Sequence, residues 1–215
     1  FAVEHKDDKS PLTLADKKCN QVIENILIHT NIPMLSEEGS RITYEKRKEW
    51  TYFWLIDPLD GTKEFIKKNG EFTVNIALIY NGSPIMGVVY TPVKEELYFA
   101  MQGLGSYKVK INSVVSSLEN LIIELDKLPI NYKRDNYVIV GSRSHMSVET
   151  EEFFEQKKKK YRDVEIIAVG SSLKLCMVAE GKADVYPRYS STMEWDTAAG
   201  HAIVKYSGYS VKKYN

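Results

Sequence analysis

The sequence predicts an α/β fold of the mixed (α+β) type, in which an antiparallel meander precedes alternating strands and helices. Between residues 72 and 101, three segments rich in β-branched and aromatic residues are separated by the turn sequences Asn-Gly-Ser-Pro and Gln-Gly-Leu-Gly. From residue 137 onward, strand-like and helix-like segments alternate. We therefore expect an N-terminal α+β half over residues 1–135 and a C-terminal α/β half over residues 136–215.

The individual elements follow from periodicity and capping. Apolar residues recur at helical spacing in residues 10–30, which predicts a helix, and Thr13 with Asp16 has the spacing of a capping box. The polar segment 40–49 is typical of a surface loop or flap, and segment 108–135 is expected to hold one or two strands. The other expected elements are strands 52–57, 72–80, 85–91, 97–101, 137–141, 164–169 and 183–189, and helices 147–160, 171–180 and 196–207.

Composition and charge restrict the class of protein. The 215 residues are 43% hydrophobic, which is enough to bury the core of one large or two small domains. Lys+Arg and Asp+Glu both number 29, and this zero balance argues against a nucleic-acid binder. Cys19 and Cys176 have no metal-like or redox spacing, so we interpret them as structural thiols of a reducing compartment.

Location can be argued only from targeting signals. No apolar run reaches the ~20 residues that cross a bilayer, and the N-terminal residues contain no signal-peptide core. We therefore expect a cytoplasmic protein without a transmembrane segment, while peripheral membrane association stays open.

The strongest chemical signal is the motif at residues 57–62, Asp-Pro-Leu-Asp-Gly-Thr, which follows an apolar strand. Pro58 restricts φ, and Asp60 brings a second carboxylate close to Asp57. Two such carboxylates repel each other unless a cation lies between them, and oxygen ligands without His or Cys suit a hard ion such as Mg²⁺. Gly61 and Thr62 stand where a helix could begin and bind phosphate. The alternative is an acidic turn in which Asp60 caps that helix.

Two further acidic positions bracket this motif. Glu37 and Glu38 lie about twenty residues upstream, where a solvated pair is the ordinary alternative. Asp196 follows Trp195 at the start of a segment of small residues, where it could simply cap a helix.

Residues 54–80 resemble the inositol monophosphatase superfamily. The acidic-Pro-Leu-Asp-Gly-Thr pattern is general to it, and the continuation Lys63-Glu64-Phe65 resembles its 3'(2'),5'-bisphosphate nucleotidase branch. Inositol monophosphatases more often have Thr-Asn-Phe there. Further similar motifs, in the family's order, lie at residues 10–16, 35–38, 141–145, 170–174 and 195–201. The resemblance therefore covers nearly the whole chain.

The resemblance implies a fold and a catalytic centre. The fold is a layered α-β-α-β-α sandwich with the metal site between the two halves. Thr62, hydrogen-bonded to Asp16, orients the attacking water and helps to deprotonate it, and no phosphoenzyme is implied. The implied ligands of two or three Mg²⁺ ions are Glu37, Asp57, the backbone carbonyl of Leu59, Asp60 and Asp196.

The resemblance also implies a substrate pocket that reaches into the C-terminal half. Lys174 and Arg188 could hold a second phosphate by charge-assisted hydrogen bonds. The alternatives are a solvated helix residue for Lys174, a surface strand residue for Arg188 and a structural loop role for His145. The implied substrate contacts are Glu37, Asp57, Leu59, Asp60, Gly61, Thr62, His145, Ser171, Lys174, Arg188 and Asp196.

The activity expected from the resemblance is Mg²⁺-dependent hydrolysis of adenosine 3',5'-bisphosphate (PAP) to AMP and phosphate, and of its sulfated precursor (PAPS). This activity would serve sulfur metabolism and be sensitive to lithium. The alternatives are an inositol monophosphatase or sugar-bisphosphate phosphatase, and a non-catalytic phospho-ligand-binding protein. A homodimer stays open. The family pattern also begins before Phe1 and continues past Asn215, so we expect a chain trimmed at both ends.

Overall fold

The computed structural model describes residues 3–5, 11–111, 125–143 and 146–213. Strands β1 (Val3–His5) and β2 (Pro11–Thr13) form an antiparallel ribbon that leads into helix α1 (Leu14–Leu27). Thr13 and Asp16 form the predicted capping box, and a 3₁₀ turn at Ile28–Thr30 extends α1. Among the described residues, no helix is long and apolar enough to cross a membrane.

A seven-stranded sheet forms the centre of the molecule, with its strands side by side in chain order. The first two strands are parallel and all later neighbours are antiparallel, which confirms the predicted meander. Helices α2 (Tyr44–Arg47), within the expected loop, and α3 (Thr62–Ile66) flank β4. The strands are β3 (Met34–Ser36), β4 (Tyr52–Asp60), β5 (Thr73–Tyr80), β6 (Ser83–Thr91), β7 (Glu96–Met101), β8 (Gly105–Lys110) and β9 (Asp126–Lys127).

Strand β4 runs three residues further than the sequence predicted, because a bulge continues its pairing with β5. Asp57 lies opposite Asn75, whereas Asp60 lies opposite Thr73, so β4 has one more residue than its partner between these two pairs. Side chains alternate between the faces of a strand, and residues three apart would therefore point to opposite faces. The extra residue places Asp57 and Asp60 on the same face.

The C-terminal half contains a second, smaller sheet. Strands β10 (Tyr137–Ser142) and β11 (Val164–Val169) pair in parallel and are connected by helix α4 (Val148–Lys160). Helices α5 (Leu173–Glu180) and α6 (Glu194–Tyr206) complete the chain.

The strand predicted at residues 183–189 is wrong. Only Val185 makes a bridge, to Ile139 of β10, and the segment then leaves the sheet. Pro187 has no N–H with which to continue a ladder, which accounts for the early end.

The elements stack in five layers, which confirms the expected α-β-α-β-α sandwich. Helix α1 covers one face of the large sheet through Ile23 against Trp54 and Ile56. Helices α5 and α6 cover the opposite face and separate it from β10 and β11. Helix α4 lies against the outer face of the small sheet, where Phe154 approaches Gly141. Because α6 packs on the sheet of the N-terminal half, the two halves share a core, and the division at residue 135 stays a prediction.

Helix α6 packs closely against the large sheet at Gly87 of β6. A Cβ atom there would lie 2.8 Å from Cβ of Ala202 and would clash with the carbonyl oxygen of Ala199. The close approach brings the first turn of α6 towards the end of β4, and a side chain at position 87 would push it away.

We therefore expect Gly87→Ala to lower the free energy of unfolding by about 2–3 kcal/mol, the cost of overpacking a filled core. Urea denaturation measures this cost. The matched control is Gly82→Ala, since a Cβ there meets nothing within 4 Å and costs only the strain of its positive φ, about 1 kcal/mol. Equal effects of the two substitutions would contradict the close packing of α6.

Candidate active site

The bulge of β4 creates a buried acidic pair. Asp57 is 1% exposed, and its Oδ1 accepts a hydrogen bond of 3.1 Å from the N–H of Leu59. Burial raises the pKa of Asp57 well above its usual range, and the charges of Asp60, Glu37 and Asp196 raise it further. Burial also raises the pKa of Asp60, although Lys174 and a hydrogen bond from Ser172 oppose that shift.

Glu37 joins this pair through the parallel pairing of β3 and β4. Ser36 lies opposite Ile56, and the N–H of Glu37 donates to the Ile56 carbonyl oxygen at 3.1 Å. The charge of Glu37 contributes to the raised pKa of Asp57, so the two carboxyl groups lie close enough to repel each other. Glu37 therefore lies beside Asp57 and is not part of a fully solvated pair.

Asp196 arrives from the other half of the chain, in the first turn of α6. Its Oδ2 accepts hydrogen bonds from Thr192 Oγ1 at 2.7 Å and from the N–H of Met193 at 3.1 Å. The capping alternative is thus correct for this carboxylate. Its proximity to Asp57 shows that capping and membership of the acidic cluster coexist.

Thr62 and Asp16 meet beside the acidic cluster, at the start of α3. Thr62 Oγ1 lies 3.3 Å from Asp16 Oδ1 and 3.4 Å from the carbonyl oxygen of Leu59. Asp16 is 2% exposed, and its Oδ2 accepts from both the N–H and the hydroxyl of Thr13. The capping box of α1 therefore holds Asp16 with one oxygen left for Thr62.

The turn between β4 and α3 requires glycine at position 61. Gly61 has φ +90°, and a Cβ atom there would lie 3.1 Å from the carbonyl oxygen of Glu71 and 3.3 Å from Cβ of Ser171. Gly61 occupies the N-cap position of α3, so Asp60 is not a simple cap as the alternative proposed.

The two cations of the C-terminal half differ in their surroundings. Lys174 is only 4% exposed and donates to the Ser171 carbonyl oxygen, so it is not a solvated helix residue. Burial lowers the pKa of Lys174, and the charge of Asp60 opposes that shift. Arg188 donates to the Tyr186 hydroxyl and the Ser191 carbonyl oxygen, while its buried Nε has no hydrogen-bond partner among the described residues.

A cavity of about 390 Å³ gathers most of the proposed residues. Asp57, Leu59 and Asp16 do not line it but contact residues that do. His145 lies outside the described residues. The proposed residues that line the cavity are Glu37, Asp60, Gly61, Thr62, Ser171, Lys174, Arg188 and Asp196.

Sequence reasoning missed several polar residues that support this cavity. Arg143 donates two hydrogen bonds to Glu71, at 2.8 and 2.9 Å, and Glu71 also accepts from the N–H of Gly170. Asn75 and Ser172 both contact Asp60. Asn75 could have been found, because it is a polar residue on the inward face of an otherwise apolar strand.

The acidic cluster fits a hard cation by its chemistry. In the described part of the chain, no three acidic, histidine or cysteine side chains are already arranged around one point. Instead, Asp60 and Asp196 accept hydrogen bonds from protein donors. The cluster offers only oxygen atoms, and the repulsion that raises the pKa of Asp57 is what a bound cation removes.

Residues 1–215 match the sequence pattern of the Inositol monophosphatase family. The chain belongs to this family. The resemblance inferred from residues 54–80 is thereby confirmed over the whole sequence.

Named relatives support one branch of the family. The 3'(2'),5'-bisphosphate nucleotidase CysQ of Shigella flexneri is 45% identical over 205 residues, covering 94% of this chain and 76% of that protein. The crystal structure of CysQ from Bacteroides thetaiotaomicron, a bacterial member of the inositol monophosphatase family, matches with a TM-score of 0.87 and 53% identity, over 94% of this chain and 76% of that one. The expected resemblance to the nucleotidase branch is therefore confirmed.

A more distant family member shows the shared fold alone. The crystal structure of an IMPase/NADP phosphatase complexed with Mg²⁺ and phosphate has a TM-score of 0.71 at 21% identity, over 98% of this chain and 77% of that one.

The buried acidic cluster predicts a pH-dependent effect of Asp57→Asn on stability. Because the folded protein holds the Asp57 proton more tightly than the unfolded chain, folded-state stability falls as the pH rises above an aspartate's ordinary range, about 4. The Asn side chain has no such proton. In EDTA, the free energy of unfolding of the variant relative to wild type should therefore increase between about pH 4 and about pH 8.

Urea denaturation across this pH range measures the difference, with the exposed Asp163→Asn as the matched control. A difference that stays constant with pH would show that neither burial nor the neighbouring carboxylates raise the pKa of Asp57.

Proposed function

We propose that this chain is a Mg²⁺-dependent phosphomonoesterase that hydrolyses the 3'-phosphate of PAP to AMP and phosphate, and that it accepts PAPS as well. The observation that carries the proposal is the cluster of Asp57, Asp60, Glu37 and Asp196, in which Asp57 is buried and the other three line a cavity that also contains cationic side chains. Its relatives named 3'(2'),5'-bisphosphate nucleotidase support the same reaction.

The proposed ligands of two or three Mg²⁺ ions are the four carboxylates and the carbonyl oxygen of Leu59. When bound, Mg²⁺ supplies Lewis-acid stabilisation of the charge that develops on the phosphoryl oxygens. The protein contributes a rigid set of oxygens from both of its halves, because the bulge positions Asp57 and Asp60 while the first turn of α6 positions Asp196.

Thr62 and Asp16 are the proposed catalytic residues of the chain itself. The Thr62 hydroxyl donates to Asp16 Oδ1, which leaves the Thr62 oxygen able to accept a hydrogen bond from the attacking water. Thr62 Oγ1 then takes the water proton as its own proton passes to Asp16 Oδ1. Because the capping box already fixes Asp16, this pair is oriented before substrate binds.

The C-terminal half supplies the proposed site for the second phosphate. The unpartnered Nε of Arg188 is a buried cationic donor on the wall of the cavity, and an anion would satisfy it. Lys174 adds positive charge, but its ammonium group already donates to the backbone carbonyl oxygen of Ser171. We therefore propose that it acts mainly through its charge. Ser171 and Gly61 line the same wall.

The rivals within this chemistry are an inositol monophosphatase, which needs no second anion site, and a sugar-bisphosphate phosphatase, whose second phosphate is carried by a sugar instead of a nucleoside. The rival of another class is a protein that binds a phospho-ligand without hydrolysis. A cytoplasmic location and a homodimer stay predictions.

A substrate panel with Asp57→Asn tests the reaction. In Mg²⁺, wild type should release phosphate from PAP faster than from inositol 1-phosphate, and Li⁺ should inhibit it. Asp57→Asn should lower kcat at least about 100-fold, because it removes a proposed ligand of the Mg²⁺ that stabilises the charge of the transition state, while circular dichroism stays unchanged. Faster turnover of inositol 1-phosphate would contradict the substrate assignment, and full activity of Asp57→Asn would contradict the metal assignment.

Arg188→Met tests the second-phosphate site. A lost charge-assisted hydrogen bond should raise KM for PAP about 10- to 100-fold. The KM for 3'-AMP, which lacks the 5'-phosphate, should change much less. Steady-state kinetics with both substrates measures the two KM values, and Arg162→Met is the surface control. An equal rise in KM for PAP and for 3'-AMP would contradict the assignment of Arg188 to the second phosphate.

A further inference from the structure

A chain of polar side chains joins the two halves of the site, and its two central members, Asn75 and Ser172, have no role in the proposed reaction. Ser172 Oγ lies 2.7 Å from Asp60 Oδ2 and 2.8 Å from the backbone carbonyl oxygen of Asp196. Asn75 Nδ2 lies 3.0 Å from Ser172 Oγ and 3.4 Å from Asp60 Oδ2. The chain thus connects β4, β5, α5 and the first turn of α6.

The donors and acceptors of this chain have one consistent assignment. Asp60 and the Asp196 carbonyl can only accept, so the Asn75 amide must present its NH₂ group to Asp60 and Ser172. The Ser172 hydroxyl accepts from Asn75 and has a single hydrogen, which it can give either to Asp60 or to the Asp196 carbonyl. The position of Asp60 is therefore tied to the position of the α6 backbone through one hydroxyl group.

Asn75 is only partly satisfied where it stands, because its NH₂ group donates to Asp60 and Ser172 while its oxygen has no partner among the described residues. The residue is 1% exposed, and the unpartnered oxygen is buried. An apolar side chain of similar size would leave no such buried acceptor. A buried polar group that is left partly unsatisfied is expected where it serves the site rather than the fold.

We propose that Asn75 and Ser172 are positioning residues that hold Asp60 in register with Asp196 and thereby set the affinity of the site for Mg²⁺. This inference rests on the proposed function, because Asp60 and Asp196 are its proposed ligands. The two carboxylates come from opposite halves of the chain, and a cation requires their oxygens to converge within a few tenths of an ångström. The Ser172 hydroxyl lies between the Asp60 carboxylate and the backbone carbonyl of Asp196, and Asn75 orients it.

Binding of Mg²⁺ to the full chain without substrate, measured by titration calorimetry, tests the proposal. Asn75→Leu and Ser172→Ala should each weaken Mg²⁺ binding about 10- to 100-fold, the usual loss when a hydrogen-bond partner of a metal ligand is removed. The double variant should lose little more than either single variant, because both act through the same chain.

Thermal unfolding in EDTA separates positioning from a structural role. Asn75→Leu should unfold within a few degrees of wild type, since removal of the unpartnered oxygen offsets the loss of the two hydrogen bonds that its NH₂ group donates. The matched control is Ser106→Ala on β8, which removes another buried hydroxyl without a partner among the described residues and should leave Mg²⁺ affinity unchanged.

Two results would overturn the proposal. Ser172→Ala is the smaller change and the one more certain to fold. If its Mg²⁺ affinity stays within about twofold of wild type, the polar side chains of Asn75 and Ser172 do not position the proposed ligands. Loss of affinity in Ser106→Ala as well would show a general effect of core substitutions. A wild-type protein that binds no Mg²⁺ would instead reject the metal assignment of the proposed function, and this inference with it.

Discussion

One extra residue in β4 is the constraint on which the candidate site depends. Without the bulge between Asp57 and Asp60, strand alternation would place the two carboxylates on opposite faces of the large sheet. With it, both face the layer that contains α5 and α6, where Asp196 and Ser172 are available. Pro58 lies within the bulge, where its missing N–H costs no regular ladder bond. The acidic cluster is therefore a property of strand register as much as of residue type.

The C-terminal half completes the site through two helix starts. The Ser171–Ser172 turn contacts Gly61 on one side and Asp60 on the other, and Arg143 holds it in place through Glu71 and the N–H of Gly170. Helix α6 can approach because Gly87 has no side chain. Close packing and hydrogen bonds thus bring together proposed ligands that lie far apart in sequence. The raised pKa of Asp57 follows from that convergence.

Much of this arrangement could be predicted from the sequence, and the failures have physical causes. Periodicity and turn residues located the meander and the helices, and the acidic motif indicated an oxygen-rich site. The prediction of a strand at residues 183–189 failed because Pro187 ends the pairing after Val185. The bulge was missed because hydrophobic alternation does not reveal a local insertion. Asn75 has a sequence signal, since it is a polar residue on the inward face of its strand, whereas the role of Ser172 depends on a contact between distant segments that a single sequence does not display.

The central claim is that the bulge places Asp57 and Asp60 on a shared cation. The most direct measurement is anomalous diffraction from crystals of the protein soaked in Mn²⁺, a substitute for Mg²⁺ with a similar preference for oxygen ligands. The account predicts an anomalous peak at about 2.0–2.3 Å from carboxylate oxygens of both Asp57 and Asp60. A peak on Asp196 or Glu37 alone, or no peak beside the bulge, would contradict it.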